Sequence, residues 1–364
     1  MKAPGGNPGW NGDTRVAYPT QLDRSEESPV GPQSANRKVV GWLTQGVIGG
    51  LVAYYLVQSV WTNWSQIRNH TWHLHYGWLL SSVAVLLGSM MVMALGWYAA
   101  LRELGASISP WHAQRIWIVT NFLKYLPGKV WLVIARVFHG QRHGIPKVVT
   151  LTSFAYEYVL FMASGILVAA CTVPFWLQRG EARTYGWTLW LVPATLVGFH
   201  PAIFGPLVNR ALKWVRRPPL ARQIPFPRLL LLLLLFGWAW LLFGLAFCLF
   251  VTAVQPMPLA AWPTLGGAFV ASWVLGLLVI FTPGGLGVRE GMLIMVLSSL
   301  SLAYLPAASA RGVAVVLALG SRLWMVLSEV VGLGLAVAFI RDPAAPSLHL
   351  PDPAEAGEIL GTEA

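Results

Sequence analysis

Long apolar runs, separated by short polar and basic stretches, set the pattern of this chain. Residues 229–288 form a run of 60 residues without a single Asp, Glu, Lys or Arg. Divided by length, charge-free or nearly charge-free runs lie at 39–60, 77–101, 150–178, 186–208, 229–254, 260–282 and 308–340. A bilayer core of about 30 Å is crossed by about 20 apolar residues in a helix, so each run predicts a membrane span. Two apolar segments fit less well. Residues 111–140 (WHAQRIWIVTNFLKYLPGKVWLVIARVFHG) are interrupted by Lys124, Pro127-Gly128 and Lys129, and 288–305 follows the break PGGLG with too few residues for a comfortable span. The predicted fold class is all-α: a polytopic integral membrane helical bundle of seven spans, eight if one broken element crosses. Pro/Gly-broken re-entrant elements are expected near 111–140 and 283–305.

Composition agrees. Of 364 residues, 56% are hydrophobic and 11% charged, with a mean hydropathy of +0.60, whereas a soluble domain carries about 25% charged residues. Between 39 and 340 there are 19 Lys/Arg against five acids, so the formal charge of +11 belongs to the membrane body. Basic groups beside a bilayer attract anionic headgroups at about 1 kcal/mol each. Membrane lipids are therefore the expected partners, and no nucleic-acid-binding signature is present. Residues 1–38 mix Gly, Pro, Asn and both charge signs without an apolar h-region, which predicts a disordered cytosolic tail rather than a cleavable signal. Residues 39–341 form the expected transmembrane domain, and 342–364, Pro/Ala-rich and acidic, a second disordered tail. Segment 209–228 holds six basic residues and no acid, the clearest cytoplasmic signal. Tracing spans back from it gives a cytoplasmic N-terminus. Cys171 and Cys248 read as small buried hydrophobes. His70, His73 and His75 read as a solvated interfacial loop, so no metal or cofactor is expected.

The two interruptions resemble each other. In YLPGKVWLVIAR (125–136) and FTPGGLGVREG (281–291) an apolar helix meets an aromatic-x-Pro-Gly break and a new helix-like segment then starts with basic charge. One lies in each half of the membrane body, the pattern of a transporter site at an inverted-repeat interface. Freed backbone at membrane depth is tolerated only inside protein or around a watery cavity. A helix starting there turns N–H groups and a positive dipole end toward that cavity, which suits phosphate or carboxylate. Pro127, Gly128 and Pro283 form the breaks. Gly284, Gly285 and Gly287 would let a ligand approach backbone, and Lys129, Arg136 and Arg289 would add charge, the arginines in bidentate fashion. Glu290 is expected to hold Arg289. Neither stretch completes a P-loop or a Rossmann fingerprint, so no nucleotide site is expected.

Four ionisable residues sit inside spans: Glu157, Arg311, Arg322 and Glu329. Each costs roughly 3 kcal/mol or more facing lipid, so each should face protein or a cavity. Structural ion pairs, headgroup binding by the arginines and proton coupling by Glu157 or Glu329 are the alternatives. Arg322 and Glu329 share a helix face, but at seven residues apart they cannot pair directly.

At KYLPGKVWLVIAR (124–136) and PGGLGVREG (283–291) the chain resembles the lysylphosphatidylglycerol synthase transmembrane-region family, flippase-like polytopic membrane proteins. His143-Gly144-Ile145-Pro146 and Arg322 fit the same resemblance, which covers roughly 40–340. Where many members carry Glu-Arg after the first block, this chain has Glu157-Tyr158. Bifunctional members add a soluble aminoacyl-transferase domain, for which the short tail here leaves no room. The resemblance implies translocation of an anionic or polyprenyl-phosphate-linked lipid in a bacterial cytoplasmic (inner) membrane, with an energy source other than ATP. The alternatives are a non-transporting accessory subunit, partnered with a glycosyltransferase or lipid-synthesis enzyme, and a membrane-embedded lipid-dependent transferase.

Overall fold

A computed structural model describes residues 54, 57–58, 60–69, 72, 74–125, 130–177, 210, 224–278, 287–302 and 307–340. Outside them lie both tails, the span expected at 186–208, most of that at 39–60, and the break residues Pro127, Gly128, Lys129, Pro283, Gly284 and Gly285. The helices are α1 (Trp64–Asn69), α2 (Tyr76–Glu103), α3 (Pro110–Asn121), α4 (Val130–Arg142), α5 (Lys147–Leu177), α6 (Phe226–Val254), α7 (Trp262–Leu278), α8 (Val288–Leu302) and α9 (Ala307–Phe339). A 3-10 turn, Phe122–Tyr125, extends α3, and another, Leu259–Ala261, leads into α7. No strand occurs among the described residues. Five segments are long and apolar enough to cross a membrane: α2, α5, α6, Leu259–Leu278 and α9.

The boundaries follow from local chemistry. Ser109 caps α3, its side chain accepting from the His112 N–H at 3.2 Å, and Pro110 occupies the first turn, where its missing N–H costs nothing. α6 stops at Gln255 because Pro256 follows and a residue before proline is pushed out of the α region. On α6, Leu230, Leu234, Trp238, Leu241 and Leu245 are exposed. Their spacing of three and four residues makes one face of the helix, apolar and unpartnered in the way a lipid-facing stripe must be.

Contacts at helix ends fix the direction of each element. The N–H of His75, just before α2, donates to Ala253 O near the end of α6 (2.9 Å). At the opposite end Arg228 of α6 pairs with Glu103 of α2 (3.5 Å), so the two helices are antiparallel. That end also carries Arg102, Arg142 and Lys147, while the described residues of α2 and α6 at the His75 and Gln255 end include no Lys, Arg, Asp or Glu. α3 begins and α4 finishes at the basic end, where the rings of His112 and His143 lie 5.4 Å apart. These two short helices therefore form a hairpin that enters and leaves the bundle through one end.

The second broken element does the same from the other side. Cys248 Sγ donates to Trp262 O (3.3 Å), and Phe243 packs on Trp273 at 5.5 Å, so α7 runs back along α6 from the charge-poor end. α9 runs in the same sense as α2: Trp324 Nε1 donates to Ser82 Oγ (3.0 Å), and two turns later Gly332 abuts Leu87. α9 thus starts at the charge-poor end, and α8, four residues before it in the chain, finishes there. α2, hairpin α3–α4 and α5 are followed by α6, hairpin α7–α8 and α9 in the same order and the opposite sense. This is the inverted arrangement that the paired breaks predicted.

Aromatic rings fill the interior between α6, α7 and α9. Phe247 stacks on Phe269 at 4.2 Å, and Phe250 on Trp324 at 5.0 Å. α6 and α7 come close enough at Gly244 and Gly266 that a Cβ on Gly244 would stand 3.3 Å from the Gly266 backbone. Two expectations are corrected. Cys171 is exposed on α5 rather than buried. Arg311 is exposed too, but it lies in the first turns of α9, where a long side chain can reach headgroup level instead of needing a protein partner.

Gly244→Leu should lower the thermal midpoint in detergent, since overpacking costs about 1–3 kcal/mol. Gly237→Leu on the same helix, where no atom lies within 4 Å of an added Cβ, should leave the midpoint unchanged or raised. Equal midpoints for the two variants would contradict the close approach.

Candidate functional site

The start of α8 shows what the Arg289-Glu290 doublet does. Gly287 has a φ of 85°, a left-handed conformation available to glycine, and precedes the first helical residue. Its N–H donates to Glu290 Oε2 at 2.8 Å. Glu290, third in the helix, thus closes the cap from inside, and its charge also suits the positive end of the helix dipole. Glu290 Oε1 accepts from Arg322 Nη1 on α9. Both carboxylate oxygens are therefore engaged away from Arg289, contrary to the expectation that Glu290 holds its neighbour. Arg289, 2% exposed, turns inward. Its guanidinium sits 4.2 Å from the Trp273 ring centre and 5.1 Å from that of Phe269, with Nη1 3.7 Å from Met325 Sδ.

α9 bonds the other hairpin as well. Seven residues after Arg322, Glu329 Oε1 accepts from Lys124 Nζ at 2.6 Å, and Lys124 belongs to the 3-10 turn at the inner end of α3. The spacing that forbids a pair within α9 places opposite charges about 10 Å apart along one face. Arg322 goes to the hairpin from the charge-poor end and Glu329 to the hairpin from the basic end.

The two hairpins meet over one side chain. Lys124 Nζ lies 5.6 Å from the centre of the Trp273 ring that also carries Arg289. Cations over an indole face are held by its quadrupole, and here two cations from oppositely directed elements share it. Trp273 Nε1 and Glu329 Oε2 have no hydrogen-bond partner among the described residues. The junction therefore offers Lys124 and Arg289 as cations, an N–H donor and a carboxylate oxygen as acceptor.

The family model for the lysylphosphatidylglycerol synthase TM region matches residues 43–339. The chain belongs to that family. No curated protein matches it. Membership places the chain among integral membrane proteins of lipid synthesis or translocation.

In this family member the first block's arginine has a different setting from the second's. Arg136 on α4 pairs with Glu157 Oε2 on α5, while its Nε donates to Thr120 Oγ1 at 3.3 Å. Glu157 Oε1 accepts from Trp117 Nε1 at 2.5 Å. Trp97, Trp117 and Phe154 surround the guanidinium at 4.9, 5.9 and 5.2 Å. Both charges are buried and each is answered, so the cluster ties α3, α4 and α5 together. Tyr158, which stands where many members have arginine, is exposed and directs its hydroxyl to Leu277 O (3.4 Å).

Of the sequence-predicted residues, Arg289, Glu290, Arg322, Glu329 and Gly287 come together at the junction, whereas Arg136 and Glu157 form the separate buried pair. Lys129, Gly284, Gly285, Pro127, Gly128 and Pro283 lie outside the described residues. Sequence reading missed Lys124 and Trp273 as site members. Lys124 sits inside the quoted motif and was open to discovery as a charge in an apolar run. Trp273 is one of nineteen tryptophans and carried no signal of its own.

Removing Glu157 alone should be severe, because a buried partner charge left unanswered costs about 3–5 kcal/mol. Glu157→Ala should therefore lower the thermal midpoint far more than the double variant Arg136→Met/Glu157→Leu, which removes both charges and keeps the volume. A double variant no more stable than the single one would exclude the pinning role.

Proposed function

We propose that this protein binds the anionic headgroup of a phospholipid or polyprenyl-phosphate-linked lipid where its two hairpins meet, and passes that lipid between leaflets. The observation that carries the reading is the sharing of Trp273 by Lys124 and Arg289, cations delivered from opposite ends of the bundle. A phosphate has several acceptor oxygens and can take both cations, Arg289 with two N–H groups and Lys124 as a point charge. Arg322, partly exposed beside Glu290, stands next to this position. Lys129, Gly284 and Gly285, expected as further contacts, lie outside the described residues. Arg136 is withdrawn from headgroup duty in this reading, since Glu157 already holds it.

An apolar cavity of about 610 Å³, lined by Val57, Val60, Trp61, Trp64 and Leu319, lies apart from the charged cluster. Leu319 is one turn before Arg322 on α9, so a lipid with its headgroup at the junction has an apolar recess for an acyl chain nearby. By the positive-inside rule the basic end faces the cytoplasm, and α9 then finishes on that side. Two hairpins of opposite sense around one site give each leaflet an equivalent route to it, as in other inverted-repeat carriers.

The test is leaflet exchange in liposomes. Purified protein should speed the exchange of labelled phosphatidylglycerol, and Arg289→Ala should slow it about tenfold or more, the loss expected for a charge-assisted contact. Trp238→Ala, on the lipid-facing stripe of α6, should leave the rate unchanged. If no lipid class exchanges faster with protein than without it, translocation is excluded.

A further inference from the structure

Three buried acids stand in the described bundle, and their oxygens differ. Glu157 uses one oxygen for Trp117 and the other for Arg136. Glu290 uses one for the Gly287 N–H and the other for Arg322. Glu329, 6% exposed, gives Oε1 to Lys124, while Oε2 is buried without a hydrogen-bond partner among the described residues. A buried ion pair is stable only when its remaining lone pairs are answered, so this carboxylate depends on Lys124 far more than the other two depend on any single partner.

Among the described residues, no second cation is bonded to Glu329. Among the charged and titratable groups on elements packed against α9, Lys124 is the one bonded to Glu329. Arg322 and Arg289 lie toward Glu290 and Trp273. His112 and Arg115 on α3 make no ion pair with Glu329, and Arg68, Arg102, Glu103 and Arg228 sit at the ends of α1, α2 and α6. Tyr76 and Tyr98 on α2 and Cys248 on α6 make no hydrogen bond to Glu329.

We infer that Glu329 is the resident anion of the headgroup site, holding Lys124 until a lipid phosphate displaces it and then taking up a proton from solvent. This rests on the headgroup reading above. The exchange balances: the Lys124 ammonium keeps its three protons and passes from carboxylate to phosphate, and one proton joins Glu329. Oε2 is the place for that proton, since it has no bond to lose. Without the proton, Glu329 would remain as a buried charge with no cation, the costly state for any broken internal pair. Lipid binding and protonation are thereby linked. Affinity rises as pH falls, because the bound form carries one more proton than the free form.

Phosphatidylglycerol is the probe, because its phosphodiester keeps one charge across the pH range used. Titrating it into detergent-solubilised protein by calorimetry, in two buffers of different ionisation heat, counts the protons. Wild type should take up about one proton per lipid, and its affinity should fall as pH rises between roughly pH 6 and 8, by up to about tenfold per unit. Glu329→Gln should take up none, bind with pH-independent affinity, and bind more tightly than wild type at the upper end of that range. Lipid binding without proton uptake would overturn the inference and leave the headgroup site standing. No preference for phosphatidylglycerol over phosphatidylcholine would overturn both. Should Glu329→Gln fail to fold, the wild-type proton count in the two buffers decides alone.

Discussion

Two opposite charges on one helix face, Arg322 and Glu329, hold the interior of this bundle together. A charge facing lipid is expensive, and these two are too far apart to answer each other, so each needs a partner from another element. The partners come from hairpins that enter through opposite ends: Glu290 on α8 and Lys124 at the inner end of α3. The short helices α3, α4 and α8, of 12, 13 and 15 residues, lack the full length of apolar contact that fixes a spanning helix. α9 supplies that fixing through its ion pairs, and the aromatic packing of Trp324 and Met325 between them keeps the helix in register with α2, α6 and Arg289.

The two buried clusters divide the work. Around Arg136 every polar group has an answer and three rings close the shell, so the cluster behaves as a rivet between α4 and α5. The junction near Trp273 is less complete, with an indole N–H and a carboxylate oxygen that have no partner among the described residues. Incomplete satisfaction in a buried place is where ligand chemistry is expected, because a visiting group can supply what the fold leaves out.

How much was legible in the sequence depended on the range of the interaction. The breaks were visible because Pro and Gly interrupt apolar runs locally, and helices start at Val130 and Val288, just after the two breaks, whose Pro-Gly residues lie outside the described residues. The inverted order followed from having one break in each half. Arg322 and Glu329 could be read as charges that need distant partners, but which partners they take is set by packing across 32 and 205 residues of chain. Arg136 and Arg289 looked alike in sequence, each following a Pro-Gly break. The difference is that α5 presents Glu157 to the first, while Glu290 turns back to its own helix cap. Arg311 was read as buried because it lies in an apolar run. Its place in the first turns of α9 lets it reach water, a matter of bilayer depth that composition does not encode.

That exposed arginine works as a depth gauge. With Arg311 at headgroup level, a rise of 1.5 Å per residue puts Arg322 about 16 Å further in and Glu329 about 27 Å. Arg322 thus meets its partner nearer the charge-poor end than Glu329 does. The two pairs are therefore stations at different depths. The Lys124–Glu329 pair, with one carboxylate oxygen unbonded among the described residues, lies nearer the basic end, and the fully bonded Glu290–Arg322 pair lies nearer the other. The two ends of the bundle therefore meet unequal ion pairs, although the helices around them run in the same order and the opposite sense.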